Sequence, residues 1–157
     1  MTRMPSPRIG AIQVPHAGRD GRANDGGFIT LRVAPATLAE APQVVDVIAA
    51  AFLNDPTWSW AFPDPSARRR WWQSCTQGAL RHPWVLRTGG FETVSVWIPP
   101  DGTEFSPEEE ARLPDLLTEL VGQRALEVTE LLQRFGDAHP RHTPHYYLSL
   151  LATADEH

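Results

Sequence analysis

The chain has 157 residues, of which 41% are hydrophobic and 21% charged, with a net charge of -5. This length fits one domain with a sizeable core, and the lack of a basic excess argues against nucleic acid as a partner. Cys75 is the one cysteine, which excludes an internal disulfide; no apolar run approaches the ~20 residues of a membrane span, and the N-terminus has no apolar signal core, so the expectation is a cytoplasmic protein with no membrane partner.

Residues 1–27 read as a flexible tail. They hold Pro5, Pro7 and Pro15 and then Gly10, Gly18, Gly21, Gly26 and Gly27, with no sustained hydrophobic period. The folded domain is expected over 28–157. It opens on a strand, Phe28 to Val33, in which apolar residues alternate imperfectly with Thr30 and Arg32. Val44, Ile48 and Phe52 then recur every four residues, with Ala41 and Val45 beside them, which predicts a helix with one buried stripe. Thr37 and Glu40 have capping-box spacing, although that start places Pro42 beyond the first turn.

Asn54-Asp55-Pro56 ends this helix, because the residue before a proline is driven out of the helical region. Trp58, Trp60 and Phe62 then crowd a short loop. Asp64-Pro65 supplies an N-cap and a proline at N1 for a second helix, which stops near His82-Pro83. Its Arg68-Arg69-Arg70 run reads as a solvated face, and Trp71 and Trp72 read as core rings, of which a helix can bury one and half-expose the other. Trp84 to Thr88 and Phe91 to Ile98 form the arms of a hairpin. The Gly89-Gly90 pair between them suits a type I′ turn with positive φ at both positions. In the second arm Val94, Val96 and Ile98 share a face.

Ser106-Pro107-Glu108-Glu109 is a complete helix start, with Ser106 as cap, Pro107 at N1 and Glu109 closing the box. Leu113, Leu116, Leu117, Leu120 and Val121 supply its apolar face, and Pro114 and Gly122 are expected to break the region. A further amphipathic stretch carries Val128, Leu131, Leu132 and Phe135, with Gly136 as its C-cap. The last element, His145 to Thr153, is apolar on both faces. It therefore reads as a middle strand covered on each side.

Few residues announce chemistry. His139, His142 and His145 have no cysteine nearby, and Pro140 and Pro144 forbid a helix presenting all three, so they read as loop histidines and no metal site is expected. Cys75 reads as a small buried residue rather than a nucleophile. The Trp58, Trp60 and Phe62 rings suit a roof over the core, with an acceptor pocket as the functional alternative. Tyr146 and Tyr147 point to opposite faces of the last strand.

The order is strand, helix, helix, strand, strand, helices, strand. With it come Val96-Trp97-Ile98-Pro99-Pro100, Ser106-Pro107-Glu108-Glu109-Glu110, His139-Pro140 and His145-Tyr146-Tyr147-Leu148. Together these resemble the N-terminal half of the GNAT-type N-acetyltransferase superfamily over roughly residues 28–157. The resemblance implies a partial GNAT α/β fold, a mixed sheet with helices on its faces. It also implies acetyl-CoA as cofactor and transfer of acetyl to a small-molecule amine acceptor. In such enzymes the backbone of the strand matching Leu150, Leu151 and Ala152 pairs with the pantetheine arm. A turn of the type Arg/Gln-x-x-Gly-x-Gly/Ala then binds the pyrophosphate at a helix N-terminus. No such turn follows here, so the chain reads as truncated before it, with negligible transfer expected. The family's common tyrosine acid is absent as well. The resemblance leaves the catalytic base unnamed; Glu92 is the one candidate, and Trp58, Trp60, Phe62, Tyr146 and Tyr147 are the candidates for the substrate cleft. The alternative is a non-catalytic partner-binding or small-ligand-binding α/β module. The strand 145–153 is expected to be a sticky edge prone to self-association.

Overall fold

A computed structural model describes residues 10–15, 28–140 and 143–154. The chain is α/β, with a five-stranded sheet in the order β1 (Gly10–Pro15), β2 (Phe28–Pro35), β3 (Val85–Thr88), β4 (Thr93–Ile98) and β5 (Tyr147–Thr153). All four strand pairings are antiparallel, where a mixed sheet was expected. The helices are α1 (Ala41–Ala51), α2 (Pro56–Ala61), α3 (Pro65–Ala79), α4 (Pro107–Val121) and α5 (Ala125–Ala138).

Strand β1 corrects the reading of the tail. Gly10 to Pro15 pairs with Val33 to Phe28 along the whole strand, so a Gly- and Pro-flanked segment without clear alternation is recruited by backbone pairing. The rest of 1–27 lies outside the described residues.

The start of α1 resolves the Pro42 conflict. A short 3₁₀ turn, Leu38–Glu40, precedes the helix, and Pro42 falls in the helix's first turn, where its missing N–H is harmless. The Thr37 N–H donates to Glu40 Oε2 at 2.9 Å, as the capping-box spacing implied. The segment expected as a Trp-rich loop is instead the one-and-a-half-turn helix α2. Asp55 Oδ1 caps it by accepting from the Trp58 N–H at 2.9 Å, and Pro56 is pre-set for its first position.

The sheet's buried face is Val85, Val94, Val96, Ile98, Leu150 and Ala152. Helices α1 and α3 cover it, α1 reaching β5 as well as β4, while α4 packs on α3 and α5 on α4. Because α3 is packed on both α1 and α4, its apolar stripe is wide, and Trp71 and Trp72 are both buried, at 2% and 1% exposure. Phe62 stacks on Trp71 at 5.1 Å between centroids, and Phe52 meets Trp72 at 5.3 Å.

Two further expectations are corrected. The hairpin has no positive φ at Gly89 or Gly90; Phe91, at φ 60°, takes the left-handed position instead. Its N–H closes the turn onto the Thr88 carbonyl at 3.1 Å. Pro114 sits inside an unbroken α4, which ends at Gly122 with φ 57°, and α5 runs past Gly136 to Ala138.

Candidate functional site

Strand β5 pairs with β4 on one side and is, with β1, one of the two edge strands of the sheet among the described residues. It was expected in the middle, covered on both faces. Leu150 and Ala152 do face the core, but Leu151 is 56% exposed and Leu148 38% exposed. The register slips between Val96 and Trp97: Val96 opposes Leu150, while Trp97 opposes Leu148 and Ile98 opposes Tyr147. Ser149 is therefore the extra residue of a β-bulge, which re-aims its side chain. Of the three residues matched to a pantetheine arm, Leu150 and Ala152 offer only backbone to the outer edge, and Leu151 offers its side chain as well.

The candidate base Glu92 sits at the hairpin tip. Its carboxylate accepts from the Thr88 hydroxyl and, at 3.1 Å, from the Gly90 N–H, so it acts as a turn cap remote from β5's bulge. Of the proposed cleft residues, Trp58 and Phe62 stack with centroids 6.3 Å apart, within the core packing rather than around an open cleft. Phe62 is fully buried, Trp58 lies half-buried against Trp72 at 4.8 Å, and Trp60 is exposed under the Arg124 guanidinium at 4.8 Å. Tyr146 is exposed and meets Trp84 edge-on at 4.9 Å. Tyr147 is half-buried, with the His139 ring 3.8 Å away. His139 and His145 lie 6.2 Å apart by ring centroid, and His142 is outside the described residues.

Sequence reasoning missed two residues. Arg68, read as part of a solvated face, is 7% exposed. Its Nη1 donates to the Leu53 carbonyl at 2.6 Å and to Ser59 Oγ at 3.2 Å, and its Nε donates to the Phe62 carbonyl at 3.1 Å. One cation thus sits at the carbonyl ends of both α1 and α2, where positive charge is favourable. Its neighbours behave as expected of a surface: Arg69 pairs with Asp46 and Arg70 with Glu119.

The second is Glu104, on the loop from β4 to α4. The Ser149 hydroxyl donates to its Oε1. Burial pushes the carboxyl up to about 7. Cys75, also buried, has its thiol pushed well up by burial and then by the Glu104 charge, and Tyr147 is raised by the same two causes in the same order. No sequence motif marks Glu104. The only signal available was that Glu104 is one of two acidic residues, with Asp101, between Pro99-Pro100 and the Ser106 cap, and its partner Ser149 lies 45 residues away.

A groove of about 460 Å³ between α3 and α4 is lined by Ser74, Gln77, Phe105, Arg112 and Leu116 with acidic residues between them. Among the described residues no helix is long and apolar enough to cross a membrane, and no group of three or more His, Cys, Asp or Glu side chains is placed to hold a metal ion.

An antiparallel sheet with helices packed on one face and a bulged outer strand defines the class of the molecule, an α/β domain. No family model and no curated protein matches the chain. Among solved structures it is similar to one described as histone acetyltransferase HPA2 and related acetyltransferase from Corynebacterium glutamicum, with 25% identity over 81% of this chain and a TM-score of 0.48. The match spans 62% of that structure's chain.

Proposed function

We propose that the chain forms the N-terminal part of an acyl-CoA-dependent N-acetyltransferase, acting on a small-molecule amine. The observation that carries this reading is β5. From β2 onward the elements leading to it run broadly in the order of the family the sequence resembles, with additional helices, and β5 pairs on one side only among the described residues, leaving backbone groups along Leu150, Leu151 and Ala152 at its outer edge. Such an edge suits an extended amide-bearing arm, as it suits an added strand. When bound, acetyl-CoA supplies the activated acetyl thioester.

The described residues include no glycine-rich turn beyond β5 for a pyrophosphate, so no phosphate contact is assigned to them. Among the described residues this reading assigns contacts to the arm of the cofactor. The test is thiol release from acetyl-CoA with benzylamine, an aliphatic diamine and a lysine peptide as acceptors. Transfer should be measurable at millimolar acetyl-CoA. No transfer to any of the amines at millimolar acetyl-CoA excludes the reading and leaves the non-catalytic binding module.

A further inference from the structure

Glu104 belongs to no motif, yet the fold fixes it firmly. Gly78 lets α3 approach its loop so closely that a Cβ there would lie 2.2 Å from the Glu104 carbonyl oxygen. Arg81 Nη2 donates to the Thr103 carbonyl at 3.1 Å and to the Glu104 carbonyl at 3.0 Å, and His82 Nε2 lies 3.1 Å from the same Thr103 oxygen. The Thr103 hydroxyl donates to the Phe105 carbonyl at 2.5 Å. With its backbone held at the end of α3, the Glu104 side chain reaches across to the β5 bulge, where Ser149 binds it.

The groups facing it add no positive charge. Cys75 comes from α3 and Tyr147 from β5, and both are neutral when protonated. Arg81 is directed to backbone oxygens and to Glu109, whose Oε2 is 3.9 Å from its Nε, and no ion pair to Glu104 is formed among the described residues. A carboxyl placed in this way exchanges its proton close to neutrality, which is the requirement for a general base.

We propose that Glu104 takes the proton from the acceptor amine at the β5 bulge, with Ser149 as its positioning residue. This rests on the acetyl-transfer reading above. An N–H bond of the bound ammonium breaks, and the proton goes to a Glu104 carboxylate oxygen. The freed nitrogen lone pair forms the C–N bond to the thioester carbonyl carbon. The C–S bond breaks, and its electron pair leaves on sulfur. The second nitrogen proton passes to the thiolate, giving the free thiol, and Glu104 returns its proton to water.

The experiment compares the wild-type chain with Glu104→Gln and Ser149→Ala at millimolar acetyl-CoA. Carboxyl NMR should show one glutamate titrating near pH 7 that disappears in Glu104→Gln. The wild-type kcat/KM profile should have an acidic limb near the same pH. In Glu104→Gln that limb should vanish and the rate fall by about 10²–10⁴-fold. Ser149→Ala, which removes a donor to the carboxylate, should move the NMR titration and the limb upward together. Transfer that survives Glu104→Gln within about threefold with its limb intact, or the absence of any glutamate titrating above about pH 5.5, overturns the assignment of Glu104 alone. Failure of the wild-type chain to acetylate any amine removes the acetyl-transfer reading, and this role with it.

Discussion

Arg68 and Glu104 show what a single residue does when its environment is set by distant chain. Replacing Arg68 with methionine keeps much of its volume and removes the charged donor from the Leu53 and Phe62 carbonyls. Hydrogen bonds to a charged donor contribute roughly 1.5–3 kcal/mol, so Arg68→Met should lower the unfolding free energy by about 3 kcal/mol in urea titrations. Arg68→Lys should not restore it, because one ammonium cannot reproduce a fork that reaches two helix ends. Glu104 predicts a pH dependence. The folded state holds its proton up to about pH 7, while the unfolded carboxyl loses it near 4.5. Between those values the folded chain binds the extra proton, so this stabilisation is complete below about 4.5 and lost as pH rises through about 7. The difference corresponds to roughly 3 kcal/mol. Urea midpoints should therefore fall from pH 5 to pH 8 in the wild-type chain and stay flat in Glu104→Gln. Glu40 and Asp64, held below the usual carboxylate range chiefly by the Thr37 and Ser66 N–H groups, titrate under that window and do not mask it. A wild-type midpoint that is level between pH 5 and 8 would contradict the raised carboxyl.

At the scale of elements, what was legible in the sequence was whatever local chemistry decides. Ser106, Pro107 and Glu109 specify the start of α4, with the Ser106 N–H donating to Glu109 Oε2 at 2.7 Å, and Asp64-Pro65 specifies the start of α3. The alternation of Val94, Val96 and Ile98 gave the buried face of β4. Features set by contact with other elements were not legible. Nothing local in Arg68-Arg69-Arg70 says which of the three turns inward. Gly10–Pro15 becomes a strand only because β2 offers an edge to it. For the candidate site, the resemblance pointed to Leu150, Leu151 and Ala152 on β5, whereas Glu104 and the Ser149 bulge depend on a loop docking that no spacing encodes. That docking can be tested at Gly78. An added Cβ would collide with backbone rather than with a movable side-chain tip, so the loop or α3 must shift. Gly78→Ala should cost about 1–3 kcal/mol in urea titrations, despite alanine's higher helix propensity, and should move the Glu104 titration. A stabilised variant with an unchanged carboxyl would mean that the loop is not clamped there.

For the whole molecule the consequential feature is that the edge strand β5 and its flanks carry no charge from Tyr146 to Ala154. Natural edges are blunted by lysine, proline, bulges or short length, and β5 has only its bulge, towards one end at Ser149. The far half, Leu150 to Thr153, is regular, and Leu151 within it is exposed. A second copy can pair with this edge by backbone alone, and the pantetheine arm proposed for acetyl-CoA needs the same backbone groups. The two occupants therefore exclude each other, and linkage requires that whichever binds shifts the other. Sedimentation velocity should show concentration-dependent association of the chain, and millimolar acetyl-CoA should return it towards monomer. Leu151→Lys gives a clean control, since Leu151 points away from the core. It should weaken association while leaving the urea midpoint nearly unchanged, within about 0.5 kcal/mol as for a surface substitution. Association unaffected by both Leu151→Lys and acetyl-CoA would place the contact elsewhere on the molecule. Association weakened by the lysine but indifferent to acetyl-CoA would keep the edge as an interface and separate it from the cofactor.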